Sequence, residues 1–279
     1  MELDDLLQEA LGRGEEGDWE GMATQLIEAL QAVPDDPALL CWLGVAEREI
    51  GIPGSAYDHF REALALEPED PYVLATVGNG LAQYDDPDAE GALRSAAVLA
   101  PDLPLARWMY GAYLSREGLF REALKELEVA AELAPEDPIV AYELGVALAL
   151  QGRLEKALAA VTRSVDLDQG EGWSLVVMGL LEAELGEMEE AARDLSEGAR
   201  LRPDDVEAQL LAALAAMGAG WEDLAYEMLE RGRQTAQAGD LPLLERVEGR
   251  LDGEGEDSLF LLKEELLPGA LRERLMTRP

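Results

Sequence analysis

The chain has 279 residues, 48% of them hydrophobic and only 5% aromatic, which is enough apolar material for a large core and excludes a disordered acidic tail. Fifty-nine Asp and Glu against 22 Lys and Arg leave a net charge of −37. That charge repels phosphate backbones and anionic lipid, so nucleic acid and membrane are poor partners. Ala and Leu dominate, which favours helix. No run approaches the roughly 20 apolar residues of a membrane span. The opening MELDDLLQEA is acidic and amphipathic, without the basic and apolar regions of a signal peptide, so a cytoplasmic location is expected. Cys41, the sole cysteine, forms no internal disulfide. The acidic residues are spread over every segment and the only lysines are Lys125, Lys156 and Lys263. This pattern reads as a surface adapted to high salt rather than an acidic block for one basic partner.

Along the chain, "PDDP" (34–37), "EPEDP" (67–71) and "PEDP" (135–138) repeat one punctuation mark. Four series share its phase. Gly44, Gly78, Gly111, Gly145 and Gly179 form one; Ala56, Ala89, Ala123, Ala157, Ala191 and Ala225 form another. Ala29, Ala63, Ala96 and Ala130 continue as Ser164, Gly198 and Gly232, and Pro34, Pro68, Pro101 and Pro135 continue to Pro203 with Gln169 between. Each unit of 33 or 34 residues predicts two helices. Asp36-Pro37, Asp70-Pro71 and Asp137-Pro138 place a capping carboxylate before a proline at the first helical position. The first helix runs about 14 residues, for example 138–151, to Gly51, Gly118, Gly152, Gly186 or Gly220. The second, for example 154–167, ends at the next proline-acid cluster. Small residues such as Gly145 and Ala157 mark close helix crossings, with Leu144, Leu148, Leu154 and Val161 filled in around them.

This pattern resembles the tetratricopeptide repeat, a 34-residue helix–turn–helix with small residues at the eighth, twentieth and twenty-seventh positions and proline at the thirty-second. The resemblance implies an all-α fold, a right-handed α-solenoid of tandem helix–turn–helix repeats with C-terminal capping helices. The units are 3–36, 37–70, 71–103, 104–137, 138–171, 172–205 and 206–239, so that 1–239 is a seven-repeat domain and 240–279 a separate C-terminal region. The third unit is one residue short near "YDDPDAEG", the first has Met22 where Ala is usual, and the last lacks its closing proline.

In the C-terminal region, "LPLLERVEGRLD" (241–252) reads as a cap helix, "GEGED" (253–257) as a flexible acidic link, and "SLFLLKEELL" (258–267) as an apolar-rich helix broken at Pro268-Gly269. The tail helix is expected to dock, at the end of the seventh unit in the first instance or in a groove of its own or another copy, which would make a homo-oligomer.

Little catalytic chemistry is on offer. There is no phosphate-binding glycine loop, H-E-x-x-H or G-x-S-x-G. His59 reads as a surface or packing residue, Cys41 as a small apolar lining residue, and "DDPDAE" (85–90) and "DGEGED" (252–257) lack the calcium-loop pattern. No enzyme activity, cofactor or metal is expected. In the family the first helices line a concave surface through their second, fifth, ninth and twelfth positions. Carried over, these positions include Cys41, Tyr72, Asn79, Trp108, Ile139, Tyr142, Trp173 and Val176, flanked by Trp42 and Met109. Among the fifth positions no lysine appears, so a clamp for a terminal carboxylate is not expected. The implied function is a non-enzymatic scaffold that holds a protein or peptide segment in an aromatic-aliphatic groove. The alternative is a self-associating module whose groove or last repeat is closed by its own C-terminal helix.

Overall fold

A computed structural model describes residues 3–251 and 255–277. It is an all-α solenoid of helix–turn–helix pairs, and no strand occurs among the described residues. The pairs begin with α1 (Leu3–Glu15) and α2 (Trp19–Ala32), α3 (Pro37–Ile50) and α4 (Pro53–Ala65), and α5 (Pro71–Ala82) and α6 (Ala89–Leu99). They continue with α7 (Pro104–Arg116) and α8 (Phe120–Leu133), α9 (Pro138–Leu150) and α10 (Leu154–Leu167), α11 (Gly172–Leu185) and α12 (Met188–Leu201), and α13 (Val206–Gly218) and α14 (Glu222–Thr235). Then come α15 (Leu241–Leu251), α16 (Gly255–Phe260), a π segment (Leu261–Leu266) and α17 (Leu267–Met276).

Local chemistry sets the helix ends. The Asp36 carboxylate accepts hydrogen bonds from the Ala38 and Leu39 amides, both at 2.9 Å, and Asp137 accepts from Ile139 and Val140. Each satisfies donors that a helix start leaves orphaned, while the following proline has no N–H to lose. Gly51 and Gly186 close α3 and α11 with φ of 86° and 88°, a left-handed conformation that costs a residue with a Cβ.

The chain divides into two compact units, residues 1–117 with 125–133, and 118–124 with 134–279. In the first unit α1, α3, α5 and α7 pack side by side in one layer, and α2, α4 and α6 pack on them. The fully buried Phe60 fills the space left by Gly44 and Gly80. The short third pair turns at Asp85, with φ of 53°, beside a buried carboxylate. Asp86 accepts from the Tyr57 hydroxyl at 2.8 Å and the Asp88 amide at 2.9 Å, and Arg61 lies 3.3 Å away. Although burial opposes its charge, these hydrogen bonds and the Arg61 guanidinium hold its pKa below the usual carboxylate range. The "DDPDAE" acids therefore have a structural task.

In the second unit α9 and α10 pack closely at Gly145, where an added Cβ would stand 2.6 Å from Val161 Cγ2. The C-terminal region departs from expectation in two ways. Residues 253–254 of the expected link lie outside the described residues, and 255–257 are not link but the first turn of α16. Nor does the helix break at Pro268-Gly269. Helical backbone runs from Gly255 to Met276, with Pro268 in the first turn of α17. Proline lacks an N–H and crowds the carbonyl four residues back, and the wider turn just before it accommodates this. There the Leu267 amide donates to the Leu262 carbonyl, five residues back.

The docking order expected for the tail also changes. α15 packs on α13 and α14 at the end of the array, as a cap would. The following helical run does not stop there. α16 and the π segment lie on α13, and α17 continues onto α11 and α9. A continuous helix of this length reaches about 30 Å, enough to cross several first helices, which a short broken one would not.

Candidate functional site

In the first unit, α1, α3 and α5 leave an open groove of about 560 Å³. Leu7, Leu11, Trp19, Trp42, Tyr72 and Val73 line it, together with the carboxylates of Glu15 and Asp70. Tyr72 stands there because Asp70 caps α5 through the Tyr72 amide at 2.8 Å, and its side chain is 45% exposed. Trp19 enters from α2, a second helix; a reading confined to first-helix positions passes over it, although tryptophan at a helix start is visible in the sequence. The groove is apolar with acidic groups in its walls, suited to an apolar segment that also carries a cation.

The other expected lining residues of this unit are placed differently. Cys41 has no exposed surface; it packs with Phe60, Val73 and Val77, its Sγ 4.0 Å from the Val73 carbonyl. Burial pushes its thiol strongly up, which disfavours the reactive thiolate. Ala75, Tyr142, Val176 and Leu210, at the same fifth position of their first helices, are buried too, and the repeat series does not separate a buried fifth position from a groove position. Asn79 is half-buried. Trp108 is also half-buried, packed on the cluster of Leu74, Leu93 and Met109. His59 Nδ1 lies 2.7 Å from a carboxylate oxygen of the largely buried Glu47, which fits a packing role.

In the second unit Ile139 is 51% exposed, whereas Val176 has no exposed surface. Tyr142 and Trp173 are buried together, and the Trp173 indole N–H donates to the Tyr142 hydroxyl at 2.7 Å. The Trp173 ring meets two guanidinium groups, Arg202 at 5.0 Å and Arg274 at 5.2 Å from its centroid. Arg274 comes from α17, is only 5% exposed, and donates to both oxygens of Asp205 at 2.8 and 2.9 Å. A further bond reaches Glu207 at 3.1 Å. Asp205 is at the same time the cap of α13, accepting from the Ala208 amide at 3.0 Å. Burial works against the Asp205 charge, but the hydrogen bonds and charge of Arg274 outweigh it and hold its pKa below the usual carboxylate range. For Glu207 the balance reverses: burial lifts its pKa despite Arg274. The partner of this carboxylate pair lies 67 to 69 residues away in sequence, which no repeat pattern reveals.

An acid pair with one buried member, Glu182, lies elsewhere in this unit. Glu182 on α11 is driven up to a pKa of about 8, first by burial and then by the neighbouring charge of Asp194 on α12. No group of three or more His, Cys, Asp or Glu placed to hold a metal ion occurs among the described residues. No helix among them is long and apolar enough to cross a membrane.

A comparison with curated proteins finds no match. The family profile described as tetratricopeptide repeat matches residues 7–71 and 111–171. Among solved structures, a chain of the APC/C hetero-tetramer Cut9–Hcn1 superposes with a TM-score of 0.73 at 18% identity, covering 88% of this chain and 49% of that one. The present chain thus spans about half the length of that relative. PilW, a type IV pilus biogenesis factor, gives a TM-score of 0.59 at 18% identity, covering 71% and 92% of the two chains. The Pseudomonas aeruginosa pilF protein gives 0.56 at 23% identity, covering 74% and 94%. At such identities these likenesses establish the fold alone. Residues 7–71 and 111–171 thus match tetratricopeptide repeats, and the helix pairs of the chain have the fold of that family.

Proposed function

We propose that the protein is a non-enzymatic interaction scaffold that holds a helical or extended segment of a partner protein in the groove of its first unit. The observation that carries this reading is the open groove with Trp19, Trp42 and Tyr72 on its walls. Large aromatic groups in a concave site supply most of the binding energy of a typical interface. Glu15 and Asp70 favour a segment with a Lys or Arg beside its apolar side chains. Tyr72 and Trp42 are the residues expected to matter most, with Trp108 and Asn79 outside the groove walls. The repeat boundaries 3–36 through 206–239 belong to the same reading, with the first two and a half units building the groove.

The test replaces Tyr72 by a photo-crosslinking phenylalanine analogue and identifies what is captured in the native cytoplasm. Tyr72→Ala, at an exposed position, should leave the helical circular dichroism unchanged and weaken binding of the captured partner by 1 kcal/mol or more, on the order of five-fold. Capture of no protein, or equal binding by Tyr72→Ala, would sink the proposal.

A second reading has support of its own. In the second unit, α17 packs on the first helices α9 and α11, so that face is closed by the chain's own C-terminal helix.

A further inference from the structure

The tail helix identifies what its docking face accepts. Leu267, Ala270, Leu271, Arg274 and Leu275 are all buried on one side of α17. Four of them are aliphatic, as any amphipathic helix would provide. The fifth is a guanidinium, and its reception is built in detail: two carboxylates of α13 and an indole ring of α11. Trp173 is in turn oriented by the Tyr142 hydroxyl, and Asp205 by its bond to the Ala208 amide. Two acids and an indole converging on one buried cation form a receptor for arginine, because only a planar fork can serve both Asp205 oxygens while lying over a ring.

The resident occupant fits imperfectly. The Arg274 Nε is buried without a hydrogen-bond partner. Its helix enters through six residues of π backbone, a rare conformation inside an otherwise α-helical run. Gly218 is what admits that run, since an added Cβ would stand 2.4 Å from Leu259 Cδ2. The occupant is therefore held by a specific tie but not by an ideal one.

We propose that the face formed by Trp173, Asp205 and Glu207 is a binding site for an arginine-bearing amphipathic helix of a partner protein, and that α17 is its displaceable resident. The ligand is a helix with leucine-like side chains at positions i, i+4 and i+8 and arginine at i+7, the spacing of Leu267, Leu271, Leu275 and Arg274. This site is distinct from the groove of the first unit and does not depend on it.

The probe is a fluorescein-labelled peptide of residues 255–277, titrated against the full chain by anisotropy. Leu271→Asp in the chain places a charge on the buried side of α17 and should expose 267–276 to hydrogen exchange. The peptide should bind that variant about ten-fold or more tightly than the wild-type chain, whose own tail competes. Adding Asp205→Asn and Glu207→Gln, changes that keep the α13 cap, should cost about ten-fold or more, as should Arg274→Gln in the peptide. If Leu271→Asp disturbs the helical circular dichroism or leaves the tail protected, Arg274→Gln in the chain replaces it. Equal affinity of the parent and Arg274→Gln peptides would overturn the proposal. So would failure of the parent peptide to bind a folded variant whose tail is exchange-exposed. Tyr72→Ala should leave every one of these affinities unchanged, so loss of the first-unit groove is distinguishable from loss of this site.

Discussion

Replacing Gly145 by Ala sets two opposing contributions against each other. In an exposed helix interior, Ala is better than Gly by about 1 kcal/mol. At Gly145, however, the new Cβ would lie 2.6 Å from Val161 Cγ2, 3.2 Å from the Val161 nitrogen and 3.3 Å from the Ala157 carbonyl oxygen. Two of these three atoms are α10 backbone, so a side-chain rotation cannot relieve them and α9 must move away from α10. Forcing one extra carbon into a packed crossing costs about 1–3 kcal/mol, so the clash wins and the expected net loss is about 1 kcal/mol. Gly12, inside α1, is the control: no atom lies within 4 Å of its added Cβ, and Gly12→Ala should stabilise by up to about 1 kcal/mol. Urea unfolding of each full-length variant, followed by far-ultraviolet circular dichroism, reads the two midpoints. Hydrogen exchange in α1–α2 and α9–α10 assigns each shift to its own helices, since a repeat array need not unfold in one step. A midpoint for Gly145→Ala above that of the wild type would refute the close-crossing argument.

The net charge of −37 should make the fold salt-dependent, because screening shortens from about 10 Å at 0.1 M to about 3 Å at 1 M. The melting temperature should climb steeply with KCl; a flat profile would count against a high-salt surface and for a basic partner. Glu182, with its ordinary value of 4.5 raised to about 8 by burial and Asp194, disfavours the fold once it must ionise. Its cost is absent below 4.5, grows as pH rises and is complete above about 8, so Glu182→Gln should match the wild-type melting temperature in acid and exceed it progressively up to that pH. Thermal melts across the range check this, and a pH-independent difference would show that the carboxyl is not buried as described.

The helix pairs were legible because their signals are local. A carboxylate before a proline, as at Asp36-Pro37 and Asp137-Pro138, acts on amides two or three residues away, and a glycine such as Gly186 acts through its own backbone angles. The lining of the first-unit groove was legible in part. Tyr72 stands at an expected position and in the groove wall, while Cys41, at another, is buried, and Trp19 entered from a helix that first-helix positions do not include. Repeat register gives a residue's angle around its helix; whether that angle meets solvent depends on the size of what packs over it.

The sequence by itself determined the period, the helix ends and the small residues at crossings, since each rests on contacts within a few residues or on one pattern repeated in phase. Only the tertiary structure decided the path of the tail and the use of its charge. Pro268-Gly269 reads as a stop, yet the backbone widens before it and the helix continues to α11 and α9. Arg274 is one arginine among many until it meets Asp205, 69 residues earlier. A buried cation needs partners that chain proximity does not supply, and the fold provides them by laying α17 across first helices that the repeat period alone leaves uncovered.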